Sequence, residues 1–158
     1  MMFTILSALA VMALRIGLYY AGRPLEGTSF MLVHLLALVT IVWFTGHRAL
    51  THDRETPFPA LLRETFRNAA LYALLIGLFL WAYFSWLESD HFAFRIDELV
   101  ARGMAEGQPE VVIRPRMEAF FTPLNYATIS FLALLAAGAF NTLFIGILQH
   151  KVLRRFMR

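Results

Sequence analysis

Four polar side chains stand at apolar stretches of this chain: Arg15, His34, Glu88 and Asn125. An arginine at the centre of an apolar helix costs about 2.5–3.5 kcal/mol on insertion scales, so its head must find water, a partner or a ligand. Arg15 lies seven residues before Gly22, about 10 Å along a helix axis. From that depth a guanidinium can snorkel to the headgroups. His34 lies six residues into the next apolar run, and a hairpin would place it on the same side at about 9 Å. Glu88 closes a third run and Asn125 opens a fourth. Converging from four helices, these groups would make a small outer polar pocket for a lipid phosphate, a proton or a solute. The simpler role is structural. Arg15 would snorkel or pair with Glu88, and His34 would bond a neighbouring helix, because polar groups commonly join helices in lipid without transporting anything.

The other reactive residue types do not assemble into a catalytic or metal motif. His47 and His52 are five apart in an arginine-rich segment, while His91 and His150 lie far from them in sequence; zinc needs several convergent ligands, commonly at short paired spacing. Asp90, Asp97, Glu98, Glu106, Glu110 and Glu118 are interleaved with arginines and read as a solvated surface. There is no cysteine, which excludes disulfides, thiolate nucleophiles and cysteine metal sites. No Ser-His-Asp grouping, glycine-rich phosphate loop or Walker sequence is present. The expectation is a non-enzyme without cofactor or metal.

The elements that carry these residues follow from composition. Of 158 residues, 59% are hydrophobic and 16% charged, and the mean hydropathy is +0.61; a soluble domain has roughly 45–50% apolar and about 25% charged residues. The excess is gathered into four runs, at about 1–22, 28–46, 68–87 and 124–148. Each approaches the ~20 residues a helix needs to cross a bilayer core of ~30 Å, and none alternates as a barrel strand does. The first run has no basic residue before Arg15 and no clean small-x-small site, so it reads as a helix and not as a cleaved signal. The predicted fold is an all-α integral membrane protein: a single domain over 1–158 forming a four-transmembrane-helix bundle. Residues 22–27 form a tight turn between the first two spans.

Arginine placement orients the chain. The 47–67 loop holds Arg48, Arg54, Arg63 and Arg67, and the 149–158 tail holds Lys151, Arg154, Arg155 and Arg158. Those eight basic residues share one side with three acids, whereas the other side has five basic residues and eight acids. The positive-inside rule then predicts cytoplasmic N- and C-termini, in the bacterial inner membrane. Lys151, Arg154, Arg155 and Arg158 would contact anionic lipid, each worth about 1 kcal/mol, so the high pI requires no nucleic-acid partner.

Short interfacial helices are expected in both longer loops. After Pro57 and Pro59, Leu61, Leu62, Thr65 and Phe66 share a face opposite Arg63, Glu64 and Arg67; this piece would lie at the interface and feed the third span. In the outer loop, 88–123, Phe92, Ile96, Leu99 and Val100 fall within an arc of roughly 100°, with Phe94 pointing elsewhere. Gly103 and Gly107-Gln108-Pro109 end that piece. Thr122-Pro123 supplies an N-cap and first position for the last span. There Gly138, Thr142 and Gly146 recur every four residues beside Ala137 and Asn141. Small residues let helix backbones approach closely, so this face would pack within the bundle or dock a helix of another protein, with Asn141 bonding across helices.

The pattern resembles a bacterial family of small four-helix membrane proteins, domain of unknown function family 4199. The stretches that carry the resemblance are Pro57 to Gly77, Phe120-Phe121-Thr122-Pro123 and Gly138 to Leu153 with its basic cap; one departure is the lack of an Asp-Pro between Phe92 and Asp97. The resemblance implies a membrane protein with no defined functional residues, working beside enzymes that attach sugars to polyprenyl phosphate. Two functional expectations lead, with an intramembrane enzyme ranked last for want of paired catalytic groups at defined spacing. The first is a non-catalytic accessory or anchoring subunit with a membrane-protein partner. The second is a small oligomeric transporter or lipid-binding protein using the outer polar cluster.

Overall fold

The computed structural model describes residues 1–23 and 27–153, among which there are helices and turns but no strand. Six α-helices follow in order: α1 (Met2–Tyr20), α2 (Gly27–His52), α3 (Phe58–Ala82), α4 (His91–Ala105), α5 (Glu110–Phe120) and α6 (Pro123–Leu148). Wider π-helical turns extend α3 through Tyr83–Leu87 and α6 through Gln149–Leu153. Four segments are long and apolar enough to cross a membrane: Met2–Tyr20, Phe30–His52, Phe58–Leu87 and Pro123–Val152. Four apolar runs and four such helices therefore agree.

The boundaries differ in two instructive places. The amphipathic stretch expected as a separate interfacial helix is the first part of α3, unbroken from Phe58 to Ala82. Arg63, Glu64 and Arg67 are strong helix formers and no glycine or proline separates them from Asn68, so the helix propagates. Likewise α2 passes Gly46 and ends only at His52. The 30-residue Phe58–Leu87 segment is about 45 Å long, well beyond the ~30 Å of a hydrocarbon core.

Helix ends follow local chemistry. Gly22 has φ 67°, and the N–H groups of Gly22 and Arg23 donate back to Tyr19 and Leu18 carbonyls at 3.0 Å. That is the Schellman stop, for which glycine is favoured because it lacks a Cβ. Gly107, φ 85°, ends α4 in the same way, with Gly107 and Gln108 donating to Met104 and Gly103. The Thr122 hydroxyl accepts the Asn125 N–H at 3.2 Å, the expected N-cap of α6. The rest of the 22–27 turn, Pro24, Leu25 and Glu26, lies outside the described residues.

The chain divides into two compact units, Met1–Ile76 with Phe131–Arg158, and Gly77–Ser130; their boundaries fall inside α3 and α6. In the first unit, side-chain pairs set helix directions. Phe3 stacks on Phe44, and the Arg15 guanidinium lies over Phe30, so α1 and α2 are antiparallel. On α6, Gly138, Gly146 and His150 meet Ala69, Leu62 and Phe58 of α3, so these helices are antiparallel and in register. The core between them includes Leu38, Ile41, Tyr72, Ala73 and Ile76, each fully buried.

In the second unit, α4 buries Phe92, Ile96 and Val100 of the predicted apolar stripe and half-buries Leu99, while Phe94 is 78% exposed. Phe92 packs on Phe84 and Tyr126. Gly103 lies within α4 instead of ending it. A Cβ there would stand 2.5 Å from Ile113 Cδ1, so the glycine serves the close approach of α5 to α4.

Candidate functional site

Arg15 and His34 do come together, through a residue that the sequence did not single out. Arg15 Cζ lies 4.7 Å from the centre of the Phe30 ring. Phe30 meets His34 edge to face at 4.8 Å, and His34 Nδ1 is hydrogen-bonded to the Tyr72 hydroxyl at 2.8 Å. Phe30 sits one helical turn before His34, so both project from the same face of α2. Tyr72 reaches them from α3 and is fully buried. A cation over an aromatic face gains about 0.5–2 kcal/mol. The imidazole–phenol bond satisfies two buried polar groups that would each cost about 1–3 kcal/mol alone. The cluster therefore links α1, α2 and α3, and His34 takes the structural role of bonding a neighbouring helix.

Glu88 and Asn125 lie in the second unit, each with local partners. Glu88 Oε1 is 3.1 Å from His91 Nδ1, and its Oε2 is buried without a hydrogen bond among the described residues. The Asn125 amide donates to the Ala119 and Phe120 carbonyls at 3.0 and 3.1 Å, closing the end of α5. Capping explains Asn125 without a ligand.

Further polar contacts join the long helices. The Thr4 hydroxyl donates to Asn68 Oδ1 at 2.8 Å, and both side chains are buried. Asn68 Nδ2 donates to the Glu64 carbonyl and, at 3.3 Å, to Glu64 Oε1. Fully buried Gln149 donates from Nε2 to the Trp43 carbonyl at 2.7 Å. Its Oε1 occupies the space that a Cβ on Gly46 would need. Sequence reasoning missed Tyr72, Thr4, Asn68 and Gln149 as contact residues. Their signal was present, because each is a hydrogen-bonding side chain in or beside an apolar run and must find a partner if buried.

The small-residue face of α6 is spent on packing inside the chain. A Cβ on Gly138 would lie 2.9 Å from Ala69 Cβ, and one on Gly146 would lie 2.8 Å from Leu62 Cδ2. Thr142, between them, is buried, and Ala137 and Asn141 are half-buried. Asn141 does not bond across helices as expected: its amide donates to the Ala137 carbonyl of its own helix at 2.9 Å. The four-residue spacing offers that nearer acceptor. Lys151 is exposed; Arg154, Arg155 and Arg158 lie outside the described residues.

The exposed faces of α4 and α5 carry further ion pairs. Arg95 and Arg102 both meet Glu98, and Arg114 bridges Asp97 and Glu110 at 2.9 and 2.8 Å. The Asp97 and Glu110 hydrogen bonds raise the Arg114 guanidinium further above its already high range. Among the described residues, no group of three or more histidines and acids is arranged to hold a metal ion. Compared with known protein families, curated proteins and solved structures, the chain matches none.

Proposed function

We propose that this chain is a non-catalytic multi-pass protein of the bacterial inner membrane that serves as an accessory or anchoring subunit of a membrane complex. Its four apolar helices would form one transmembrane bundle, with α4 and α5 at the outer surface and both termini in the cytoplasm. The observation that carries the reading is how the polar side chains are used. Thr4, His34, Asn68, Tyr72 and Gln149 bond other helices of the same unit, while large apolar side chains face outward. Leu36 is 68% exposed, Phe140 71% and Phe144 66%. Apolar surface of that extent is unfavourable in water at about 25 cal/mol per Å², and lipid or a partner helix relieves it.

The resemblance to family 4199 favours a partner among the enzymes that glycosylate polyprenyl phosphate. A photocrosslinker at Phe144 in the native membrane tests the reading. A defined membrane-protein adduct, retained as a stoichiometric complex in mild detergent, is the expected result. Adducts to lipid or to a second copy alone would instead support the small oligomeric or lipid-binding alternative. Reporter fusions at Asp53 and after Arg158 should both read cytoplasmic.

A further inference from the structure

Two tryptophans where α3 ends touch through a contact that a regular α-helix does not make. Trp81 and Trp86 are five residues apart, hence about 140° apart around an α-helix, yet their ring centres lie 5.7 Å from each other. The π-helical turn at Tyr83–Leu87 closes that angle, with the Glu88 N–H donating to the Tyr83 carbonyl five residues back at 3.0 Å. One extra residue is thereby taken into the turn. Upstream, Leu74, Leu78 and Trp81 form an exposed stripe at α-helical spacing. Ser85 would continue that stripe in an α-helix, but the wider turn gives its place to Trp86, which is 75% exposed. The same turn keeps Tyr83 and Phe84 buried.

The position of the pair selects what covers it. From Asn68 to Leu87 the chain carries no charged residue, a helical length of about 30 Å that matches the ~30 Å of a hydrocarbon core. Arg67 precedes that stretch and Glu88 follows it. Trp86 therefore stands at the boundary between apolar and charged residues, and Trp81 about 7 Å further in. Each indole carries a single N–H donor on a large apolar ring, and neither donor meets a protein acceptor among the described residues. Water would satisfy the N–H and leave the ring exposed; hydrocarbon would do the reverse. The ester and phosphate layer of a bilayer accommodates both ends of the side chain. Phe140 and Phe144 of α6 are also exposed, but they have no polar atom to place and make no such demand.

We infer that Trp81 and Trp86 form an indole anchor in the lipid headgroup layer at this end of α3, brought into register by the π-helical turn. The anchor rests on the proposed membrane reading, but not on which side faces the cytoplasm or on the accessory role. The decisive experiment reconstitutes the full chain into phosphatidylcholine vesicles whose lipids are brominated either high on the acyl chains or near their ends. Three variants keep one indole each: Trp43→Phe with Trp81→Phe leaves Trp86, Trp43→Phe with Trp86→Phe leaves Trp81, and Trp81→Phe with Trp86→Phe leaves Trp43. Unchanged helicity confirms that they fold, and the difference between wild type and Trp86→Phe alone reads the same contribution from a single substitution. Trp86 fluorescence should be quenched about twofold more by the shallow bromine than by the deep one, with Trp81 nearer to parity. Quenching of Trp86 by aqueous acrylamide with no response to either lipid would place it in solvent and overturn the anchor. Stronger quenching by the deep bromine would overturn it too, as would protection from all three quenchers, the sign of a protein partner over the pair. A lipid response at Trp43 without one at Trp86 sinks the anchor alone; no lipid response at any tryptophan sinks the membrane reading with it.

Discussion

The Thr4 hydroxyl and Asn68 Oδ1 form a buried 2.8 Å hydrogen bond that ties the first turn of α1 to α3 eleven residues into that helix. It couples segments 64 residues apart in sequence, and both side chains are shielded from solvent. Measured interhelical hydrogen bonds in membrane proteins average about 0.6 kcal/mol and reach about 1.7. Asn68→Leu should therefore destabilise the chain by about 1 kcal/mol in detergent unfolding. Adding Thr4→Val should recover part of that loss, because it removes the orphaned hydroxyl. A double-mutant cycle with no coupling would show that the bond contributes nothing.

Tyr72→Phe removes only the hydroxyl that satisfies His34 Nδ1. The ring packing survives, so the cost should come from the unpaired imidazole, about 1 kcal/mol or somewhat more. His34→Leu in the same background should restore thermal stability towards wild type. Equal melting temperatures for Tyr72→Phe and wild type would count against the structural role assigned to the pair.

Glycine substitutions should separate by position. A Cβ at Gly46 would stand 1.9 Å from Gln149 Oε1, whereas nothing lies within 4 Å of one at Gly17. Gly46→Ala should displace the Gln149 amide from the Trp43 carbonyl and destabilise the chain. Gly17→Ala should be neutral or stabilising by up to about 1 kcal/mol from helix propensity alone. Melting temperatures of the two variants, measured side by side, decide it.

On α4 and α5, packing should outweigh charge. Ile113 is buried against Gly103, and truncation of a core isoleucine costs about 2–5 kcal/mol. Arg114 makes two ion pairs but sits on the surface, where such pairs contribute about 0–1 kcal/mol and are screened by salt. Ile113→Ala should lower the hydrogen-exchange protection of α4 strongly. Arg114→Gln should lower it slightly, and not at all in 1 M salt.

How much of this was legible beforehand depended on the range of the cause. The four apolar runs, the Gly22 and Gly107 stops, the Thr122 cap and the outward Phe94 are local: propensity, backbone geometry and one-face periodicity act within a few residues. The continuity of α3 through Arg63 and Arg67 was local too. It was hidden because a polar amphipathic turn and an apolar span differ in composition but not in helix propensity.

The polar residues were conspicuous in the sequence, and their partners were not. Asn125 and Asn141 turned to carbonyls five or six and four residues away, choices that spacing permits but does not force. His34 chose Tyr72, Thr4 chose Asn68 and Gln149 chose Trp43 across distances set by helix register. The sequence by itself determined which segments are helices and which faces are apolar, because those properties are summed along the chain. Only the tertiary structure decided which polar groups meet, because a hydrogen bond needs about 3 Å precision between segments whose alignment the whole core fixes.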